Sequence, residues 1–231
     1  MDETGQDFRT YSMRWIPEDR PPEGQWAALL RLAAAIRQTI HLMADTDAPE
    51  SELLAAAEAA EAFADRLGAA PRGRQLWGFA ESSNAGNPRA MFDNSPLIGL
   101  ANPIAPPLTL TAGDDRVVRG SAVFGTAYEG PPGHLHGGFV AAAFDEVLGM
   151  VQTLTGQPGM TGGLTIRYRR PTPLHREVLF EGRVDRIEGR KIFTSGTLRA
   201  GETLCAEAEG VFISVDWMRM RGLAEERSPG T

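Results

Sequence analysis

The stretch from Gly137 to Gln152 constrains the fold more than any other part of the chain. Phe139, Val140, Ala141, Ala142, Ala143, Phe144, Val147, Leu148, Met150 and Val151 make it apolar nearly all round. A helix of that kind must be buried on most sides. It falls short of the roughly 20 residues that a bilayer span needs, so its cover must be protein. Four strand-like runs follow it: Gly162 to Arg169, Val178 to Ile187, Lys191 to Arg199 and Thr203 to Val215. Glu188-Gly189-Arg190 and Ala200-Gly201-Glu202 have the composition of hairpin turns. Two more runs precede it, Leu108 to Thr111 and Arg116 to Phe124, on either side of Gly113-Asp114-Asp115. Two strands, one helix and a four-stranded meander predict an α+β domain in which an antiparallel sheet curls around a central helix.

The N-terminal part has a different character. Trp26, Leu29, Leu30, Ala33, Ile36 and Ile40 recur at helical spacing. A second helix is predicted after Asp47-Ala48-Pro49-Glu50, which has the form of a capping box with proline in the first turn. It runs to Leu67, with Gly68 placed to stop it, and the two helices can pack as a hairpin. Residues 71 to 107 are rich in glycine, proline, asparagine and serine, and Ser95 to Pro107 is expected as an extended, packed connection, because its prolines remove amide donors. The expected organisation is a helical extension and linker over 1–95, the α+β domain over 96–218, and a flexible tail over 219–231.

Composition bounds the function. A hydrophobic content of 42% in 231 residues supports a sizeable core. The formal charge of −7 argues against nucleic acid and anionic membrane as partners, since a polyanion is repelled on average. Asp2, Glu3 and Asp7 against Arg9, with no apolar run behind them, do not resemble a signal peptide. The single cysteine, Cys205, excludes an internal disulfide and is expected as a small buried side chain. A reducing, cytoplasmic setting fits these features.

Three groups of residues carry chemistry. The first is His136-Gly137-Gly138 at the start of the apolar helix. A helix N-terminus presents unpaired amide hydrogens and a positive dipole, and glycine lets a substrate carbonyl approach the backbone. Such amides can stabilise an oxyanion; the same two glycines can also simply permit a tight turn. The second is Asp145, beside Glu146, inside the helix. It shares a face with Gly138, Ala141, Ala142 and Gly149, a row of small residues that leaves room for a substrate. Burial there would make it a better base, although a charged pair facing solvent is the other possibility. Gly138 and Asp145 are seven residues apart, about 10 Å along a helix, too far to flank one carbonyl carbon. If both act on one bond, one of them comes from a second subunit, and a two-fold dimer supplies two such sites. The third group is basic: Arg167 and Arg169 on one strand face, Arg170 beyond, and Arg190 with Lys191 at a hairpin turn. They can form a phosphate-binding patch, and a solvated sheet face accounts for them equally well.

Glu129 to Gly149 (EGPPGHLHGGFVAAAFDEVLG), Met160 to Leu174 (MTGGLTIRYRRPTPL) and Glu188 to Lys191 (EGRK), in this order, resemble the PaaI-like branch of hotdog-fold acyl-CoA thioesterases. The resemblance spans roughly Leu108 to Asp216. It implies a hotdog fold with an N-terminal helical extension, and hydrolysis of acyl-CoA to free acid and CoA within fatty acid metabolism. It implies Asp145 as general base or nucleophile, and Gly138 with Gly137 as amide donors to the thioester oxygen. His136 would orient the turn or contact substrate, and Thr161 would place water or the thioester. Arg167, Arg169, Arg190 and Lys191 would contact the CoA phosphates. No metal or other cofactor is implied, CoA being part of the substrate, and a homodimer or dimer of dimers is expected. His134 is outside the motif and is expected as a turn residue.

Two other functions remain to be weighed. A hotdog enoyl-CoA hydratase or dehydratase pairs a histidine with a carboxylate in one site, whereas His136 and Asp145 lie half a turn out of phase on an ideal helix. A non-catalytic acyl-CoA sensor would keep the basic residues without needing Asp145.

Overall fold

The computed structural model describes residues 23–71, 94–157 and 159–215. The expected frayed tail, the acidic N-terminus and most of the 71–107 connection fall outside the described residues. In chain order the elements are α1 (Gly24–Ala44), α2 (Glu50–Gly68), β1 (Thr109–Ala112), β2 (Val118–Val123), α3 (Gly137–Thr153), β3 (Gly159–Tyr168), β4 (Glu177–Glu188), β5 (Lys191–Ala200) and β6 (Thr203–Ser214). A 3-10 turn, Thr126–Tyr128, lies between β2 and α3.

The six strands form one antiparallel sheet in the order β1-β2-β4-β5-β6-β3. Strands β4 to β6 follow one another in sequence and space. Gly189 and Gly201, in the two hairpin turns, hold positive φ values of 59° and 55° that a side chain would strain. The burial of β5 alternates strictly: Ile192, Thr194, Gly196 and Leu198 face inward. That period places one apolar face of the sheet against α3.

Helix α3 fills the curl of the sheet. Val140, Phe144, Val147, Leu148 and Val151 are buried against Val118, Val178, Phe180, Ile192, Leu198 and Phe212. Each such side chain contributes about 1.5–3 kcal/mol by leaving water. The helix lies very close to the sheet because Gly182 and Gly196, cross-strand partners, sit beneath it. A Cβ at Gly182 would come within 2.8 Å of Val151 Cγ2, and one at Gly196 within 3.2 Å of Leu148 Cδ2. This is the hotdog arrangement, preceded by a helical extension.

One face of the helix stays open, the row of small residues: Gly138 and Asp145 are exposed, and Ala141, Ala142 and Gly149 are only half-buried. Other expectations are corrected. Asp47 does not cap α2; Pro49 occupies the N-cap without a side-chain bond, and Thr46 Oγ1 accepts from the Ala48 amide instead. Nor do α1 and α2 make a packed hairpin, since α2 buries none of its residues. The connection over 94–107 is packed but not extended. It folds into successive turns closed by Gly99 N to Ser95 O, Asn102 N to Gly99 O and Ala105 N to Asn102 O, which bury Leu97, Ala101 and Ala105.

Among the described residues strand β3 pairs with β6 on one side only, and its other edge has no partner strand there. Met160 and Tyr168 on it are 45% and 56% exposed. The register of β3 shifts between Thr161 and Gly163. This bulge resets the alternation, so that Thr161 points to the same side as Leu164, Ile166 and Tyr168, toward α3.

Candidate active site

The turn before α3 is built by backbone bonds from neighbouring loops. His136 N donates to Tyr128 O at 2.9 Å, and Leu135 N donates to Thr172 O at 2.8 Å. His136 is the N-cap of α3, and its Nδ1 accepts the Gly138 amide at 3.0 Å. A ring nitrogen that accepts carries no proton, so the imidazole proton lies on Nε2. The cap therefore occupies the Gly138 N–H in this structure. Tyr168 Oη donates to Gly137 O at 2.8 Å, tying the turn to β3.

Two turns along the helix, Asp145 projects from the open face. Thr161 Oγ1 donates to its Oδ1 at 2.7 Å. One carboxylate oxygen is thus fixed from β3, and the other is left for a different donor. Glu146 turns away toward the linker, where Ser95 Oγ donates to its Oε1 at 2.7 Å. Burial pushes the Glu146 carboxyl above the usual range; the Ser95 bond opposes this and the neighbouring Asp145 charge adds to it. The adjacent acids accordingly have different environments, Asp145 exposed and Glu146 largely enclosed.

The basic residues do not gather within one chain. Arg167 and Arg169 lie near the C-terminal end of β3, paired with Glu209 and Glu207 of β6 at 2.6 Å each. Lys191 stands opposite Ile213, which stands opposite Met160 at the other end of β3. The two groups are therefore separated by roughly 20 Å along the strand. Arg190 donates to Ser214 O through Nε and Nη2, and among the described residues its charge is paired with no acid. The single patch expected from sequence is not formed by one subunit. Among the described residues, no three His, Cys, Asp or Glu side chains gather to hold a metal ion, and no helix is long and apolar enough to cross a membrane.

Residues 132–207 match the model of the Thioesterase superfamily. A crystal structure of a thioesterase superfamily protein is 34% identical, with a TM-score of 0.72 over 84% of this chain and 94% of that one. The chain belongs to the thioesterase superfamily. Its hotdog domain is also similar to acyl-coenzyme A thioesterase THEM4 of Bos taurus, 42% identical over 94 residues, which are 40% of this chain and 38% of that protein. Acyl-coenzyme A thioesterase THEM5 of Homo sapiens is 34% identical over 107 residues, 46% of this chain and 40% of that protein. The chain thus spans about two fifths of the length of the curated relatives it matches.

Three residues of this superfamily member stand at the site without having been singled out from sequence. The signal for Tyr168 was present, since alternation with Arg167 and Arg169 places it on the opposite, helix-facing side of β3. Ser95 carried no such signal, because its bond to Glu146 spans 51 positions. Tyr128, 5% exposed at the close of the 3-10 turn, lay in a segment with no helical or strand period.

Proposed function

We propose that this chain hydrolyses acyl-CoA thioesters to the free acid and CoA. The observation that carries this reading is the pairing of Asp145 with Thr161 on the one open face of an otherwise buried helix. A carboxylate with one oxygen held and the other free is suited to take a proton from water, or to attack a carbonyl carbon directly. In the water route, water oxygen bonds to the thioester carbon while its proton passes to Asp145. The tetrahedral intermediate then expels the CoA thiolate, which leaves as the thiol once protonated.

The Gly138 amide, with Gly137, polarises the thioester oxygen. Substrate must first displace His136 Nδ1 from that amide, so His136 acts as a removable cap. Asp145 and Gly138 of one chain remain about 10 Å apart along α3. The free edge of β3 supplies the remedy: two copies joined antiparallel there would set Asp145 of one beside Gly138 of the other. The same pairing brings the Arg190–Lys191 end of one sheet toward the Arg167–Arg169 end of its neighbour, where CoA phosphates can be held across subunits. The PaaI-like resemblance and the relatives named acyl-coenzyme A thioesterase support this reading. A hydratase needs a free histidine beside the carboxylate, and His136 is instead bonded to its own helix.

The test is incubation with acyl-CoAs of several chain lengths and detection of free thiol. Thiol release supports the proposal. Saturable binding without release makes the protein a sensor, and a change in enoyl absorbance makes it a hydratase.

A further inference from the structure

The N-terminal helix α1 buries only Ala33 and carries no catalytic motif, yet it touches the turn that caps α3 through a continuous series of contacts. We propose that His41 of α1 is a positioning residue for the His136–Gly138 turn, acting through Tyr128 and Phe139. This rests on the reading of that turn as the thioester-oxygen site.

The contacts run in one direction across three elements, from α1 through the 3-10 turn to α3. The His41 ring fills the space beside Gly125, where an added Cβ would lie 2.7 Å from both Cε1 and Nδ1. Its Nδ1 accepts the Ala127 amide at 3.4 Å, and its ring meets Tyr128 edge-on at 5.3 Å between centroids. Tyr128 then acts twice on the turn: its carbonyl holds His136 N at 2.9 Å, and its ring packs edge-on against Phe139 at 4.9 Å. Phe139 in turn packs against the His136 ring at 6.4 Å, and that ring holds the Gly138 amide. Edge-to-face contacts of this kind are directional, so they transmit position as well as burying surface.

Tyr128 is fixed independently of α1. Phe124 packs against it at 5.6 Å, and its Oη donates to Ile104 O at 2.8 Å. Helix α1 is held from the same linker, since Arg37 donates to Ala105 O at 2.7 Å and to Asn102 O at 2.8 Å. His41 is therefore pressed between two anchored bodies, one of which carries the 3-10 turn. Removing it leaves Ala127 N without its acceptor and Tyr128 without a wall.

The clamp requires His41 to accept at Nδ1, and a protonated ring cannot. The titratable and charged groups facing it are Arg37 on its own helix, His175 from the loop before β4, which bonds Thr126 Oγ1 at 3.1 Å, and Tyr128. Burial, then His175, then Arg37 hold the His41 ring below the usual histidine range. The sign follows: the undocked ring protonates first, near 6.5, so docking is fully favourable above that value and weakens as pH falls toward the depressed one.

Two variants of the full chain test the clamp. His41→Ala removes the contact from α1, and Gly125→Ala displaces the ring from the opposite side without changing the sequence of α1. For both, acyl-CoA turnover and backbone hydrogen exchange over 126–140 are measured at pH 8, alongside thermal unfolding to establish folding. A fall in kcat between about threefold and a hundredfold, the range expected for misplacement at a distance, with KM within a factor of about two, supports the proposal. So does faster exchange at 126–140 in both variants. Exchange at 126–140 unchanged in folded His41→Ala, or unchanged kcat in both variants, overturns it. If the wild type releases no thiol, the thioesterase reading fails separately, and the exchange measurement alone decides whether His41 positions the turn.

Discussion

Thr161 Oγ1 donates to Asp145 Oδ1 at 2.7 Å, so an edge strand fixes the one exposed acid on the central helix. The bulge between Thr161 and Gly163 is what turns that hydroxyl toward α3 rather than away from it. Asp145 in the proposed mechanism must be ionised and oriented, and one bond from Thr161 orients it without occupying both oxygens.

Replacing Asp145 by Asn retains the shape and the Thr161 contact but removes the base. Asp145→Asn is expected to fold, to bind CoA esters, and to lose at least about a hundredfold in kcat, the low end for general-base catalysis. Thr161→Val should lose about tenfold in kcat, near the worth of one hydrogen bond, while Thr161→Ser retains most activity. Steady-state thiol release by the three variants checks this. Wild-type turnover by Asp145→Asn would remove Asp145 from the mechanism.

Glu146 gives a prediction in stability rather than rate. Its carboxyl is raised by burial, so the folded state favours the neutral acid. That contribution is fully present below the ordinary value of 4.5 and is lost as pH rises through the raised one. Glu146→Gln keeps an acceptor for Ser95 and cannot ionise. Its Tm relative to wild type should therefore rise between pH 4.5 and pH 8. Ser95→Ala should cost about 1 kcal/mol at either pH, because Leu97 N and Ile98 N also lose their acceptor. Parallel melting curves for Glu146→Gln and wild type across that range would contradict the assignment.

What the sequence disclosed about this molecule follows from which interactions are local. The buried helix and the β4–β6 meander were legible because apolar period and turn glycines are written in neighbouring residues, as in Ile192 to Leu198 and at Gly189. Also legible was the placement of His136 and Gly138 at the start of the buried helix and of Asp145 two turns along it. Opaque were the contacts between distant segments: Ser95 to Glu146, His41 to Tyr128, and the separation of Lys191 from Arg167, which depends on strand order rather than spacing. The open face of α3 was legible as well, because Gly138, Ala141, Ala142, Asp145 and Gly149 recur on one helical face and their small side chains leave a gap.

The free edge of β3 predicts assembly. An unpaired edge bearing Met160 and Tyr168 seeks another strand, and the proposed site is complete only when it finds one. Met160→Lys combined with Thr165→Lys places charges on that edge without altering Asp145, Thr161 or the turn. The variant is expected to sediment as a monomer, to keep its circular dichroism, and to lose hydrolysis nearly completely. An active monomer would show that one chain contains a whole site.

The basic residues separate two roles for positive charge. Arg167 and Arg169 already face Glu209 and Glu207 at 2.6 Å, and a phosphate would have to displace those carboxylates. Among the described residues Arg190 bonds only a backbone carbonyl, with no carboxylate to displace. Arg190→Ala with Lys191→Ala is therefore expected to raise KM for acyl-CoA by at least about tenfold while leaving kcat within a factor of about two, the low end for loss of a charged hydrogen bond worth about 1.5–3 kcal/mol. Arg167→Ala should raise KM by less than about threefold. Both effects should shrink for a truncated acyl-pantetheine substrate that lacks the nucleotide phosphates. A larger effect at Arg167 than at Arg190 would show that the β3 arginines, despite their carboxylate partners, carry most of the phosphate contact.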